Sequence, residues 1–294
     1  MGLRKLFRAR QRAAVVPAKQ ERPLNLCLLF PHPRWIMAAE LIHVLRELHP
    51  SLAQVEVECR TGDLGHGMGV GQTVRVQWER HTVLVAMIQT PLTAQTLEWT
   101  LSVSLHEEEL LTQVRAHAAH ATLAYRGQET DPLEQYLALT TIAIGLTRLG
   151  AILMMNIGAR TSCPAQPLLP RPGEDLMQVL RTLPVTVLFV GFIKMEFQNT
   201  EGVWMRTCGA PLMDLPDLAM LARSHDESRT VFYMFNDIFM AMRSAKIRFK
   251  EGDMVQLEEL NWRFRKPRPH EKFLESPRMI VLEPDTAPDR LRLP

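Results

Sequence analysis

The stretch that decides the fold is His117-Ala-Ala-His120-Ala-Thr-Leu-Ala-Tyr125. If the whole stretch were one helix, His117 and His120 would lie one turn apart on the same face and could hold a metal ion between them. The residues after His120 alternate instead as in a half-buried strand, with Ala121, Leu123 and Tyr125 on one side. The stretch therefore predicts a junction at which a helix ends and a strand begins.

Both sides of this junction predict strands and helices in irregular order. Toward the N-terminus we expect strands at 24–30 and 55–59, a helix at 35–48, a hairpin of strands at 73–78 and 82–88, and a helix at 106–115. After the junction, Asp131 and Pro132 predict the start of a long helix that ends near Leu149. Further on we expect a strand at 152–156, a helix at 174–182, strands at 185–197 and 202–208, a short element at 217–222, a helix at 226–245 and a strand at 254–264. This mixture predicts an α+β fold with antiparallel or mixed sheets, helices packed on one face, and two subdomains of similar size.

Shifts in composition predict five segments. They are a basic, mobile tail at 1–22, an N-terminal α+β subdomain at 23–160, a proline-rich connection at 161–173, a C-terminal α+β subdomain at 174–265, and a mobile tail rich in proline and charge at 266–294. Closely spaced glycines predict another mobile connection at 61–71. Because these glycines lead into a strand, not into a helix N-terminus, a phosphate-binding loop is not favoured there.

The composition is that of a globular protein, since 46% of the 294 residues are hydrophobic, 22% are charged and the net charge is +2. The basic residues cluster at 4–22 and 263–272 without interleaved aromatic residues, so nucleic-acid binding is not expected. The cysteines form no Cys-x-x-Cys pair, no apolar run reaches the roughly 20 residues of a membrane span, and the N-terminus lacks a signal-peptide pattern. We therefore expect a cytoplasmic protein without a cofactor.

The basic N-terminus leaves one alternative open. As a helix, residues 1–16 would place Leu3, Leu6 and Phe7 on one side with arginines around them. This pattern is compatible with weak attachment to the surface of an anionic membrane. A peripheral membrane protein attached through residues 1–16 is therefore a second alternative hypothesis.

Four blocks of sequence carry a family resemblance. They are the apolar strand Leu26–Phe30, the turn Ala86–Pro91, the block at 117–120 entering a strand, and Trp204–Leu218. Their order resembles that of the bacterial family known as domain of unknown function 4261, over about residues 24–264. In the last block Thr207, Gly209, Pro216 and Asp217 fit the family pattern, whereas Asp214-Leu215 stands where the family has a Phe-Gly pair. The resemblance implies no reaction, and it implies a cytoplasmic binding protein connected with toxin immunity or secretion.

Candidate chemistry centres on His117 and His120. A metal-dependent hydrolase at this pair is one hypothesis, with a third ligand from His106, Glu107, Asp131 or Asp217. The HExxH zinc motif has its histidines four positions apart with a glutamate between them, whereas two alanines separate this pair. Capping of carbonyl groups or packing under a loop is therefore favoured over a metal, and no catalytic residue is predicted.

Two segments are candidates for contact with another protein. Asp214 and Asp217 lie in a proline-rich turn and could face a basic partner. The helix at 226–245 carries more apolar residues than one buried face requires, so Phe235, Phe239 and Met242 are candidate anchors, although core packing is favoured. The leading hypothesis is a non-enzymatic, cytoplasmic protein that binds another protein.

Overall fold

The computed structural model describes residues 24–65, 69–171, 173–198, 200–257 and 260–285. The chain forms two compact units that divide after Gly191. We call the described residues up to 191 the N-terminal unit and those from 192 onward the C-terminal unit. The predicted basic tail at 1–22, including the candidate membrane segment at 1–16, lies outside the described residues.

Seven strands build the sheet of the N-terminal unit. They are β1 (Asn25–Phe30), β2 (Glu56–Asp63), β3 (Val70–Trp78), β4 (His81–Ile88), β5 (Ala119–Tyr125), β6 (Leu153–Asn156) and β7 (Thr161–Pro164). Their order is β2-β3-β4-β5-β1-β6-β7, and each neighbouring pair is antiparallel. Residues 61–63 end β2 and residues 70 and 71 begin β3, so the two ends of the connection predicted as mobile at 61–71 are paired strand.

The stretch from His117 to Tyr125 lies at the centre of this sheet. Its strand β5 pairs with β1 on one side and β4 on the other, and Leu123 stands opposite both Leu26 and Val85. These three side chains are buried on one face of the sheet. The predicted junction is therefore confirmed: the preceding helix ends at Arg115 and the strand begins at Ala119.

Six helices accompany the sheet in the N-terminal unit. They are α1 (Ala38–Leu48), α2 (Ala94–Leu101), α3 (Glu108–Arg115), α4 (Pro132–Arg148), α5 (Leu176–Thr182) and α6 (Val185–Leu188). As predicted, Asp131 caps α4 through the amide of Leu133. The segment 185–188 is helical, although a strand was predicted there; the extended Pro184 precedes it as its N-cap and strand pairing starts only at Gly191.

These helices cover both faces of the sheet, not the one face that was predicted. Side chains alternate between faces along a strand. Leu153 and Met155 point to one face of the sheet and pack in one cluster with α2 and α3. The next residue, Asn156, points to the opposite face, where its amide donates a hydrogen bond to the hydroxyl of Tyr136 in α4. The α+β class itself is confirmed.

The C-terminal unit holds a second, mixed sheet. Its strands are β8 (Gly191–Met195), β9 (Val203–Cys208), β10 (Asp217–Ala222), β11 (Met254–Leu257), β12 (Leu260–Arg265) and β13 (Met279–Pro284). They follow the order β11-β12-β13-β10-β9-β8, with β10 and β13 parallel. The one long helix described in this unit, α7 (Ser228–Ser244), packs on β10.

Two boundaries differ from those expected from composition. The proline-rich segment 161–173 is not a connection between units, because Thr161–Pro164 forms β7 and the units divide only after Gly191. The segment predicted as a tail from 266 contains a 3-10 helix at Pro269–Leu274 and the inner strand β13. Glu271, which is buried, ties this segment to β12 through a two-pronged ion pair with Arg265.

Candidate functional site

His117 is held by backbone groups on both ring nitrogens. Its Nε2 accepts a hydrogen bond from the amide of Leu92 at 2.8 Å, and its Nδ1 lies 2.6 Å from the carbonyl oxygen of Val114. A carbonyl oxygen can only accept, so Nδ1 carries the proton and donates it. Both nitrogens are thereby occupied, and His117 has no lone pair left for a metal ion.

His120 binds the same neighbouring loop. Its Nδ1 donates to the carbonyl oxygen of Thr90 at 2.8 Å. Burial lowers the pKa of this imidazole, and the hydrogen bond to Thr90 opposes that effect. The two histidines therefore fasten residues 90–92, which follow β4, to the start of β5. This matches the carbonyl-capping role that the sequence favoured.

A metal centre at this pair finds no support in the geometry. Coordination by His117 would require breaking one of its two backbone hydrogen bonds, which leaves a buried polar group without a partner. Within the described ranges, no three His, Cys, Asp or Glu side chains are placed to hold one metal ion together. The hydrolase hypothesis that depended on His117 and His120 is therefore not carried further.

The two candidate aspartates have different surroundings. Asp217 is buried, with only 3% of its surface exposed, and accepts hydrogen bonds from the Thr207 hydroxyl, the Ala210 amide and the Ser276 hydroxyl. Burial raises its pKa, and these hydrogen bonds work in the opposite direction. The proposed contact of Asp217 with a basic partner is therefore wrong, because the carboxyl group closes an internal turn. Asp214 is accessible and pairs with Arg278 at 3.2 Å.

The candidate anchors in α7 belong to the core. Phe235, Phe239 and Met242 each expose 1% of their surface or less. They repeat at helical spacing and lie on the side of α7 that packs on β10. Their assignment as contacts for a partner is corrected: burying them against the sheet leaves no surface for another protein.

The opposite side of α7 presents an exposed stripe of five residues. They are Arg229, Tyr233, Asp237, Met240 and Ser244. Their spacing of three or four positions places them along one side of the helix, about half a turn away from Phe235 and Phe239. Two of them are large and half exposed, Tyr233 at 51% and Met240 at 56%. We call these five residues the α7 stripe.

Charge and apolar surface alternate along the α7 stripe. The guanidinium of Arg229 lies 5.8 Å from the ring centre of Tyr233, within the range of a cation–π interaction. Desolvation by neighbouring side chains raises the pKa of Asp237, which stands between Tyr233 and Met240. The stripe thus combines an aromatic ring and a thioether with one group of each charge.

The sequence contained the signal for this stripe. Projection of 228–244 at 100° per residue separates the buried Phe235, Phe239 and Met242 from Tyr233 and Met240. Because the apolar content of the helix is high, the prediction took its anchors, Phe235, Phe239 and Met242, from the side that is buried. The burial of Phe235, Phe239 and Met242 shows which of the two sides faces the sheet.

Comparisons of the chain with protein-family models, with curated protein sequences and with solved structures give no significant match. Within the part of the chain that the structure describes, no helix combines the length and apolar character needed to cross a membrane. The function is therefore inferred from the side chains themselves.

Proposed function

We propose that this protein binds another protein through the α7 stripe. The observation that carries the proposal is the half exposure of Tyr233 and Met240 on one side of a helix whose other side is fully packed. Tyrosine and methionine are enriched at the cores of protein interfaces relative to the rest of protein surfaces. The other side of the helix is buried against the sheet, so its outer side chains are presented on an element that is already folded.

The chemistry of the stripe constrains the partner surface. Tyr233 and Met240 require an apolar depression, and Asp237 between them requires a basic or hydrogen-bonding group. Arg229 at the N-terminal end of the stripe favours an acidic neighbour. The stripe from Arg229 to Ser244 is about 22 Å long, so it forms the centre of an interface that other surface residues must complete.

The proposal also includes a setting for this binding. We place the protein in the cytoplasm, as an accessory factor in toxin immunity or secretion. That setting is supported by the family resemblance alone. The attachment of residues 1–16 to a membrane remains a prediction, which sedimentation with anionic liposomes, with and without that segment, tests.

Site-specific photo-crosslinking in the native host tests the proposal. A benzoylphenylalanine at position 233 is compared with the same residue at position 99, because Trp99 is an aromatic residue of similar exposure, 53%, on a helix of the N-terminal unit. We expect one discrete adduct from position 233 that is absent from position 99. No adduct, or the same adducts from both positions, would contradict the proposal.

A further inference from the structure

A cleft of about 200 Å³ opens on the N-terminal unit. Its walls come from the segment after α1, the turn between β3 and β4, α4 and the start of α5. The polar side chains that matter for its chemistry are His49, Ser51, His81, Glu134, Asp175 and Arg181. We call it the His49 cleft. No sequence motif marks these residues, because His49-Pro-Ser51 matches no hydrolase pattern and Asp175 is distant in the chain.

His49 and Ser51 form a close pair whose proton positions are fixed. The Nδ1 of His49 lies 2.8 Å from the hydroxyl oxygen of Ser51 and 3.2 Å from the backbone nitrogen of Ser51. An amide can only donate, so Nδ1 must present its lone pair to this segment. The Ser51 hydroxyl consequently donates to the same Nδ1. This is the relationship of a nucleophile to its general base.

Asp175 lies at the other nitrogen of the same imidazole. Its Oδ1 is 3.5 Å from Nε2 of His49. Because Nδ1 holds the lone pair, the proton of the neutral ring is on Nε2; no hydrogen bond joins Nε2 to Asp175, but the carboxylate is near enough to attract the imidazolium that forms when Nδ1 takes a proton. Asp175 is itself fixed, since it caps α5 by accepting from the amide of Gln178 at 2.9 Å. Serine, histidine and aspartate thus follow the order of a catalytic triad, with the two ring nitrogens exchanged relative to the common arrangement and with the aspartate at ion-pair distance instead of hydrogen-bond distance.

Two further groups supply hydrogen-bond donors to the cleft. The Nδ1 of His81 lies 3.2 Å from the hydroxyl of Tyr125, and that hydroxyl accepts from the amide of Glu129. In one of the two neutral tautomers of His81, the Tyr125 hydroxyl donates to Nδ1 and the His81 proton lies on Nε2, where it can serve the cleft; burial lowers the pKa of His81 and favours the neutral ring. Arg181 binds Glu134 through Nε and Nη2, and its Nη1 makes no hydrogen bond within the described residues.

We propose that the His49 cleft hydrolyses small carboxylic esters, with Ser51 as nucleophile and His49 as general base. Asp175 acts as a positioning residue that stabilises the charged imidazolium. The cleft is smaller than the roughly 300 to 1,000 Å³ of sites for drug-sized ligands, so the acyl group must be short. Glu134 and Asp175 in its wall disfavour an anionic ester. The inference is independent of the proposed binding function, because the α7 stripe lies in the other unit.

The reaction balances with these groups and water. The Ser51 oxygen attacks the ester carbonyl carbon while its proton moves to Nδ1 of His49, and the carbonyl oxygen takes the negative charge near the donors of His81 and Arg181. Collapse breaks the bond to the alkoxide, which leaves with the proton from Nδ1 as an alcohol. Water then attacks the acyl-serine, gives a proton to Nδ1, and releases the carboxylic acid as the Ser51 oxygen recovers that proton.

Labelling of the full-length protein with a fluorophosphonate probe tests the proposal, together with hydrolysis of p-nitrophenyl acetate. We expect the probe on Ser51, located by peptide mass spectrometry. Ser51→Ala should abolish labelling and lower the hydrolysis rate by about 100-fold or more. Ser102→Ala, which removes an exposed serine from the same unit, should change neither.

His49 also caps the short 3-10 helix Pro50–Leu52 by accepting from the Ser51 amide, and His49→Asn separates this capping role from catalysis. Asparagine can still accept from the Ser51 amide as an N-cap, but it cannot take the Ser51 proton. We expect His49→Asn to keep the unfolding midpoint and to lose labelling. Asp175→Asn keeps the cap of α5 and should lower kcat about tenfold with little change in KM. Failure of the probe to label Ser51, or hydrolysis that survives in both Ser51→Ala and His49→Asn, would overturn the proposal.

Discussion

His117 and His120 fasten two backbone groups of one short loop: His117 accepts from the amide of Leu92, and His120 donates to the carbonyl oxygen of Thr90. The loop follows β4, and both histidines stand at the entry to β5. The spacing that suggested a metal pair thus serves the packing of the central strand. This gives the pair a role in stability that can be measured directly.

Replacement of His117 by alanine should lower the free energy of unfolding by about 2–3 kcal/mol, because the Leu92 amide and the Val114 carbonyl lose their buried partner. Denaturant unfolding measures this change. His43→Ala, at a side chain that is 76% exposed, is the control and should stay within about 0.5 kcal/mol of the parent. Equal losses in both variants, or zinc bound at one ion per chain and lost with His117→Ala, would contradict this assignment.

The stability of the protein should fall as the pH drops below about 6.5. Burial lowers the folded-state pKa of His120, so the unfolded chain takes up a proton at a higher pH than the folded chain. The contribution of His120 to the free energy of unfolding is therefore complete above the ordinary histidine pKa. It decreases as the pH falls from there through the lower folded-state pKa. Burial lowers the pKa of His81 and His106 as well, and both add to this loss.

Comparison of variants at pH 7.5 and 5.5 isolates the part due to His120. Glutamine at this position keeps a donor for Thr90 and has no group that titrates in this range. The loss of stability between the two pH values should be smaller in His120→Gln than in the parent. His43→Gln, at an exposed position, should leave that loss unchanged. A larger loss in His120→Gln would show the sign of this prediction to be wrong.

The aspartates Asp214 and Asp217 should respond differently to substitution. Asp217→Ala leaves three donors without their acceptor in a buried turn, and we expect it to lower the free energy of unfolding by about 3 kcal/mol. Asp214 has a left-handed backbone with φ of 60°, which suits glycine, so Asp214→Gly should stay within about 1 kcal/mol of the parent. Thermal or denaturant unfolding measures both changes. A larger loss of stability in Asp214→Gly than in Asp217→Ala would contradict the prediction.

The ion pair between Arg265 and Glu271 should hold the C-terminal segment in place. Glu271→Gln removes the two-pronged partner of Arg265 and leaves Glu283, 3.1 Å away, as its remaining carboxylate, so it should cost about 2 kcal/mol of stability. The amides of Met279–Pro284 should be protected from hydrogen exchange in the parent as well as those of β10, since β13 is an inner strand. Rapid exchange across these residues in the parent would contradict an inner strand and support the mobile tail predicted from composition.

The alternation around β5 made the centre of the fold predictable. Leu123 and Tyr125 mark a buried face by their spacing alone, and Asp131-Pro132 marks a helix start through local chemistry. The strand Met279–Pro284 was missed because prolines and charges surround it, while the partners that stabilise it lie far away at Asp217–Met220. The run Met279-Ile-Val-Leu282 was a local signal for a strand, and the composition around it outweighed that signal.

The candidate sites were harder to predict for a related reason. Phe235 and Tyr233 lie two positions apart in one helix; a helical projection places them on different sides, and the packing of α7 on the sheet shows that the side of Phe235 is buried. The relation of His49 to Asp175 likewise depends on two segments that meet in the folded chain. Sequence spacing finds groups on one element, whereas both of these relationships are tertiary.

The affinity for the partner captured at position 233 tests the central claim most directly. Isothermal titration would compare the parent, the double variant Tyr233→Ala/Met240→Ala, and the control Trp99→Ala, each with its fold verified by denaturant unfolding. We predict that the double variant raises Kd by about tenfold or more, a loss of at least about 1.4 kcal/mol, while the control binds as the parent does. A double variant that binds within about twofold of the parent would contradict recognition through the α7 stripe.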